Sequence, residues 1–410
     1  MEQLKADIRD YNYDLPEDRI AQHPLEKRDA SRLLIMNDGV ISEDIFSSLG
    51  SYIPKNSLLV FNDTKVIRAR LIFSKSTGAT IEILCLEPIQ PADIESAFHQ
   101  TGSSTWNCLI GNVKRWKSGK LLKEIPGRNS NLELFAEKKE DLGNGCFSVE
   151  FTWNPSDLTF SEILSQNGMV PLPPYIHRAP EEADNRDYQT VYAKYEGSVA
   201  APTAGLHFTD SMIGEISQQG IRFENVTLHV GLGTFRPVSS PDVSRHVMHE
   251  EKIVIKRSAL HTFIENAGKP LIAVGTTSVR TLESLYWLGV RQLTQPGNDK
   301  TELGQWEVYE PGADPGIPAA EALKALENSW IDKGIDIFTG STRLMIVPGY
   351  RYRLVTGLVT NFHLPQSTLL LLVSAFTGED WKKAYRYALN NGFRFLSYGD
   401  ACLFFPSEVR

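Results

Sequence analysis

Four cysteines in 410 residues, Cys85, Cys108, Cys146 and Cys402, are too few and too scattered for a disulfide framework. No C-x-x-C pair or histidine at ligand spacing accompanies them, so a zinc site is excluded and the thiols read as reduced packing residues. Long hydrophobic runs are missing as well. The longest, Thr368 to Phe376 (TLLLLVSAF), is less than half of the roughly 20 residues that a bilayer span needs, so it reads as a buried helix and gives no membrane role. The opening stretch MEQLKADIRDYNYDLPEDRI is charged throughout and has no apolar h-region or small-residue cleavage site, which predicts a cytoplasmic protein. An excess of positive charge is absent too. With a formal net charge of −8, the chain repels polyanions at long range, so any nucleic acid must be met by a local basic face, with binding that weakens as salt rises.

What is present is the composition of a globular protein, 41% apolar and 22% charged, long enough for two domains. From Arg70 to Trp153 short alternating runs (TIEILCL, WNCLIG, CFSVEFTW) are separated by turn residues, which predicts an inserted all-β, barrel-like domain over 70–153. The flanking parts, 1–69 and 154–410, alternate strand and helix patterns and predict one α/β catalytic domain built on a mixed sheet. Within it SDLTFSEILSQNG reads as a helix with Gly168 as a left-handed stop, and Asp210 to Gln219 as a helix capped by Thr209. ENVTLHVG, PLIAVG and RLVTGLVTNF read as strands; TSVRTLESLYWLG and QSTLLLLVSAF as helices; residues 295–336 as a loop-rich excursion.

Several turns combine bare backbone with groups able to move a proton. GSVAAPTAGLHFT places Thr203 and Gly205 in a small-residue loop ahead of His207, beside a helix start that favours an anion or a ribose. The alternative is a tight turn with a structural histidine. LHVGLGTFRPV sets His229 before Gly231, Gly233 and Thr234, without the third glycine or following helix of a dinucleotide fingerprint; a bulge explains it equally well. In PLIAVGTTSVRTLES, Thr276, Thr277 or Ser278 can cap a helix. Arg280, a cation opposing the helix dipole, requires an anion, either from a ligand or from a neighbouring Asp or Glu. VTNFHLPQS ends a strand with Asn361, able to read a base edge, and His363, able to move a proton. Asn62 and Asp63 occupy a polar turn, and His249 with Glu250 form an acid/base or surface pair. VKRWKSGK and YRYR offer basic side chains with Trp116 or Tyr352 to stack on a base, or two solvated faces.

Read together and in order, YDLPEDRIAQHPLEKRDASRLL, LLVFNDTKVIRARL, MVPLPPYI, YQTVYAKYEGSVAAPTAGLHFT, VTLHVGLGTFRPV, MHEE, AVGTTSVRTLES, VPGYRYRLVTGLVTNFHLPQSTLLLLVSAF and SYGDACLF resemble the S-adenosylmethionine:tRNA ribosyltransferase-isomerase family of queuosine biosynthesis, from about residue 11 to residue 405. The resemblance implies an α/β domain carrying a smaller β-barrel, no metal, and S-adenosylmethionine spent as a ribosyl donor. The implied partner is a tRNA bearing 7-aminomethyl-7-deazaguanine at the wobble position, and the implied products are epoxyqueuosine-tRNA, adenine and methionine. A sulfonium acidifies the adjacent C5′–H, so a base removes that proton, an acid protonates the departing adenine, and a neutral amine attacks. On this reading His207 comes first as proton-transfer group, with His229, Asp63, His249 and Glu250 behind it. Thr203, Gly205, Gly231, Gly233, Thr234, Thr276, Thr277 and Arg280 surround the donor, and Asn62, Asn361 and His363 meet the base or tRNA. A monomer is expected. Two departures from the family phrases stand out: VIRAR, with Lys65 and Arg68, and MIVPGY. Ribosyl transfer to a different acceptor and RNA binding without catalysis are the alternatives.

Overall fold

The computed structural model describes residues 7–75, 77–125, 131–143, 145–231 and 240–406. The larger part is a ten-stranded mixed sheet. Its centre is a parallel run in which Arg222–Leu228 pairs with Leu58–Asn62, then Leu271–Val274, then Gly357–Asn361. Ala401–Phe404 follows, antiparallel to Gly357–Asn361 and parallel to Arg32–Asn37. LLVFN is apolar on both faces because both faces are covered. Leu58 and Val60 pack with the helices Thr276–Thr294, Ala319–Asp332, Thr368–Thr377 and Asp380–Asn390, while Leu59 and Phe61 pack on the opposite face with Met212 and Ile216 of Asp210–Gln218.

The inserted part is a six-stranded antiparallel sheet in the order Arg70–Ser74, Thr80–Gln90, Ser103–Gly111, Cys146–Asn154, Leu132–Gly143, Lys120–Ile125. Its first and last strands approach each other and nearly close a barrel. In SSTWNCLIG the buried residues are Ser104, Trp106, Cys108 and Ile110, the alternation expected of a strand with one face in a core. The barrel core extends past residue 153, since Phe160, Ile163 and Leu164 of the helix Phe160–Asn167 lie in it.

Three local expectations need correction. Gly168 ends its helix at φ −85°, ψ 162°, extended rather than left-handed. Glycine is required there because a Cβ would sit 1.8 Å from the backbone oxygen of Arg68. The helix after PLIAVG has Gly275, at φ 88°, as N-cap and no side-chain cap; Ser278 instead donates back to the Val274 carbonyl at 2.8 Å. Residues 295–336 are not loop throughout. Ala319–Asp332 is a helix whose Ala322, Leu323, Leu326 and Trp330 are buried in the main core.

Candidate active site

Open parallel sheets collect ligands beyond the carboxyl ends of their strands. Here the loops leaving those ends surround a cleft with an internal volume of about 70 Å³ that opens to solvent. Thr203 and Ala204 come from the small-residue loop, Val230 from the end of the strand ending at Leu228, Gly275–Thr277 from the turn after Leu271–Val274, and Thr360–Leu364 from the end of Gly357–Asn361. Thr203, Thr276, Thr277, Asn361 and His363 are thus brought together. No Asp, Glu, Lys or Arg lines this cleft among the described residues.

Sequence reasoning missed Tyr175 and Ser397, which line the same cleft with the tyrosine hydroxyl 2.6 Å from the serine Oγ. Both lie inside phrases that carry the family resemblance, but a tyrosine beside prolines and a serine before Tyr398 bear no chemical signal of their own.

Three histidines, His207, His229 and His363, are held neutral by burial. His363 Nε2 lies 2.9 Å from Thr360 Oγ1, and burial pulls its pKa down to about 3. His207 does not line this cleft. Its Nε2 accepts from Asn361 Nδ2 at 3.0 Å and its Nδ1 lies 2.8 Å from Ser31 Oγ, so it stands behind the wall that Asn361 forms. Burial first, then the nearby Arg394 charge, pull its pKa to about 4. His229 is likewise lowered to about 4 by burial and then by Lys252, with Nδ1 2.9 Å from Thr64 Oγ1.

In the unfolded chain these rings take up protons near pH 6.5, whereas in the fold they stay neutral to about pH 3–4. The unfolded state therefore binds more protons in that window, and stability is full above pH 6.5 and falls as the pH drops toward 4. Urea denaturation at stepped pH is expected to give a falling midpoint, and replacing His229 with Gln should flatten the slope; an unchanged slope contradicts the assignment.

Other expected site residues are placed elsewhere. Gly205 is bare because a Cβ would stand 1.9 Å from the Tyr192 hydroxyl, so close packing within the protein explains it. Asn62 is consumed by the backbone: its Oδ1 accepts from Thr64 N and Leu228 N, and its Nδ2 donates to Leu228 O and to Thr277 Oγ1. It therefore sets the position of a cleft threonine instead of facing the cleft. Asp63 is buried, accepts from Thr227 Oγ1 at 2.6 Å, and has its pKa raised chiefly by that burial. Arg280 is buried and ion-paired with Glu251, which supplies the anion its position demands. His249 and Glu250 are exposed and do not line the cleft. Gly231 follows Val230, and Gly233 and Thr234 fall outside the described residues.

Neither proposed stacking ring is presented to solvent as expected. Trp116 is in the barrel core with Nε1 donating to Gly119 O, and the Tyr352 hydroxyl donates to Leu372 O. Of the departing residues, Lys65 pairs with Glu196 at 2.9 Å and Arg68 donates to Ser165 O at 2.7 Å.

Comparison with known proteins bears on the whole chain. A family model described as "Queuosine biosynthesis protein" matches residues 8–311 and 318–404. A Trichlorobacter lovleyi protein named S-adenosylmethionine:tRNA ribosyltransferase-isomerase is 39% identical over 401 residues, covering 97% of this chain and 99% of its own. A Treponema denticola protein of the same name is 38% identical, covering 96% and 99%. A crystal structure of the Thermotoga maritima S-adenosylmethionine tRNA ribosyltransferase is 28% identical over 96% of this chain and 99% of its own, with a TM-score of 0.45. With matches that span the barrel, the sheet and every loop around the cleft, the chain belongs to the S-adenosylmethionine:tRNA ribosyltransferase-isomerase family of queuosine biosynthesis.

Proposed function

We propose that the protein transfers and isomerises the ribosyl group of S-adenosylmethionine onto 7-aminomethyl-7-deazaguanine at the tRNA wobble position, releasing adenine and methionine and leaving epoxyqueuosine-tRNA. The observation that carries this reading is the convergence of Thr203, Thr276, Thr277, Asn361 and His363 on one cleft. Threonine hydroxyls suit a ribose. The first turn of Thr276–Thr294 has no side-chain cap, which leaves backbone N–H groups for the carboxylate of the methionine part.

His363 and Tyr175 are the ionisable side chains on the wall among the described residues. Burial pushes the Tyr175 hydroxyl up, so it serves as a neutral donor, and His363 is the group placed to move a proton. His207, first by sequence, acts through Asn361 and is a positioning residue. An uncharged wall also suits the attacking amine, because a site without carboxylates disfavours its ammonium form.

The test is to incubate the protein with ribose-labelled S-adenosylmethionine and tRNA carrying the deazaguanine precursor. The expected result is stoichiometric adenine and label in tRNA. Adenine without tRNA label moves the acceptor to another molecule, and neither product leaves only RNA binding.

A further inference from the structure

We infer that Asn361 presents its amide oxygen to the cleft as a fixed acceptor for the exocyclic amino group of a purine-type base, and that His207 and Ser31 hold it in that orientation. The inference rests on the proposed ribosyl transfer, which brings two such bases to the cleft: the adenine of the donor and the deazaguanine of the acceptor.

An amide side chain has a donor end and an acceptor end, and its hydrogen-bond partners decide which faces where. Asn361, 3% exposed, points its Nδ2 at His207 Nε2 at 3.0 Å and at the Asp400 carbonyl at 3.5 Å. A backbone carbonyl only accepts, so turning the amide over would set oxygen against oxygen. His207 must then receive on Nε2 and carry its proton on Nδ1, which faces Ser31 Oγ at 2.8 Å. Both NH2 protons are thereby committed to the protein. Oδ1 is left buried with no hydrogen-bond partner among the described residues, on a side chain that lines the cleft.

Buried acceptors without partners are rare and call for an explanation, and at a cleft wall a donor on the ligand supplies one. Adenine N6 and guanine N2 are donors of this kind, carried on rigid planes that hold the reacting sugar at a fixed distance. Because His363 is two residues along the same wall, the atom that reads the base and the group that moves the proton share one strand end.

The test compares kcat/KM for S-adenosylmethionine and its analogue lacking the adenine 6-amino group, and for precursor tRNA and a stem-loop whose deazaguanine lacks the 2-amino group. The wild type is expected to favour the amino-bearing partner in one arm by roughly tenfold to a hundredfold, and that arm identifies the base. Asn361→Leu should reduce the preference to within about twofold, Asn361→Asp should keep much of it because an acceptor remains, and His207→Phe should weaken it by freeing the amide. Wild-type preference retained by Asn361→Leu, or no preference in either arm, overturns the inference. Should Asn361→Leu not fold, His207→Phe decides, since a merely structural role leaves the preference unmoved. If the wild type releases no adenine at all, it is the ribosyl-transfer reading that fails. Calorimetry with adenosine against purine riboside, and with guanosine against inosine, then tests the acceptor on its own, an equal affinity within both pairs overturning it.

Discussion

Replacing His363 with leucine is expected to slow adenine release in a single turnover by roughly 10²- to 10⁴-fold, the range for loss of a proton-transfer group, while donor affinity changes far less. The main chain of this residue is fixed independently of its ring. Its N–H donates to the Tyr385 hydroxyl at 3.0 Å and its carbonyl accepts from the Tyr13 hydroxyl. Removing the imidazole therefore leaves the strand end in place. Thr360→Val, which removes only the partner of Nε2, should cost less than the loss of the ring. Burial lowers the pKa of the imidazole to about 3, so the free enzyme should show no loss of rate from this group as the pH falls through 6.5. A rate for His363→Leu within threefold of wild type would remove the histidine from the reaction.

Glu283→Ala is expected to cost about 3–5 kcal/mol of stability, because it leaves several buried hydrogen-bond donors without an acceptor at roughly 1–3 kcal/mol each. Glu283 is fully buried on the helix Thr276–Thr294, and its carboxylate accepts from the backbone N–H groups of Arg353, Leu354 and Val355 and from the Tyr350 hydroxyl. Alanine leaves all of these donors in a dry site. The clamp also has a functional side: the segment it holds runs into Gly357–Asn361, the strand that ends at the cleft wall. Glu283→Gln keeps one acceptor oxygen and should recover part of the loss. Urea denaturation of both variants measures this, and equal stability of Glu283→Ala and wild type would contradict the account.

Much of the sheet was readable because period and apolar content act locally. LLVF, LIAV and GLVTN are strands that both faces of a buried sheet can use, whereas RLVT, read as part of the last of these, lies outside the sheet with the backbone N–H groups of Arg353, Leu354 and Val355 on Glu283; the change to short alternating runs matches the barrel. The helix Ala319–Asp332 was missed because TQPGNDK and EPGADPGIP drew attention to turns, although Pro318 stands just before the helix and the spacing of Ala322, Leu323, Leu326 and Trp330 is helical. The site was legible by chemistry but not by depth. His207 and Asn361 both stood out, yet which of them faces the cleft depends on how a helical turn meets a strand end 154 residues away in sequence. Gly205 shows the opposite error, since bare backbone beside a histidine suggested a ligand where Tyr192 makes the close approach. Arg280 announced a need for negative charge that the sequence could not assign, and Glu251 meets it.

The most direct measurement is a crystal structure of the protein with S-adenosylmethionine bound. The adenosyl group is expected between Thr203, Thr276 and Thr277 on one side and Asn361 and His363 on the other, with its carboxylate toward the start of the helix Thr276–Thr294. Donor density elsewhere, such as the cavity beside Trp287 and Arg291, with this cleft left to solvent, would contradict the account.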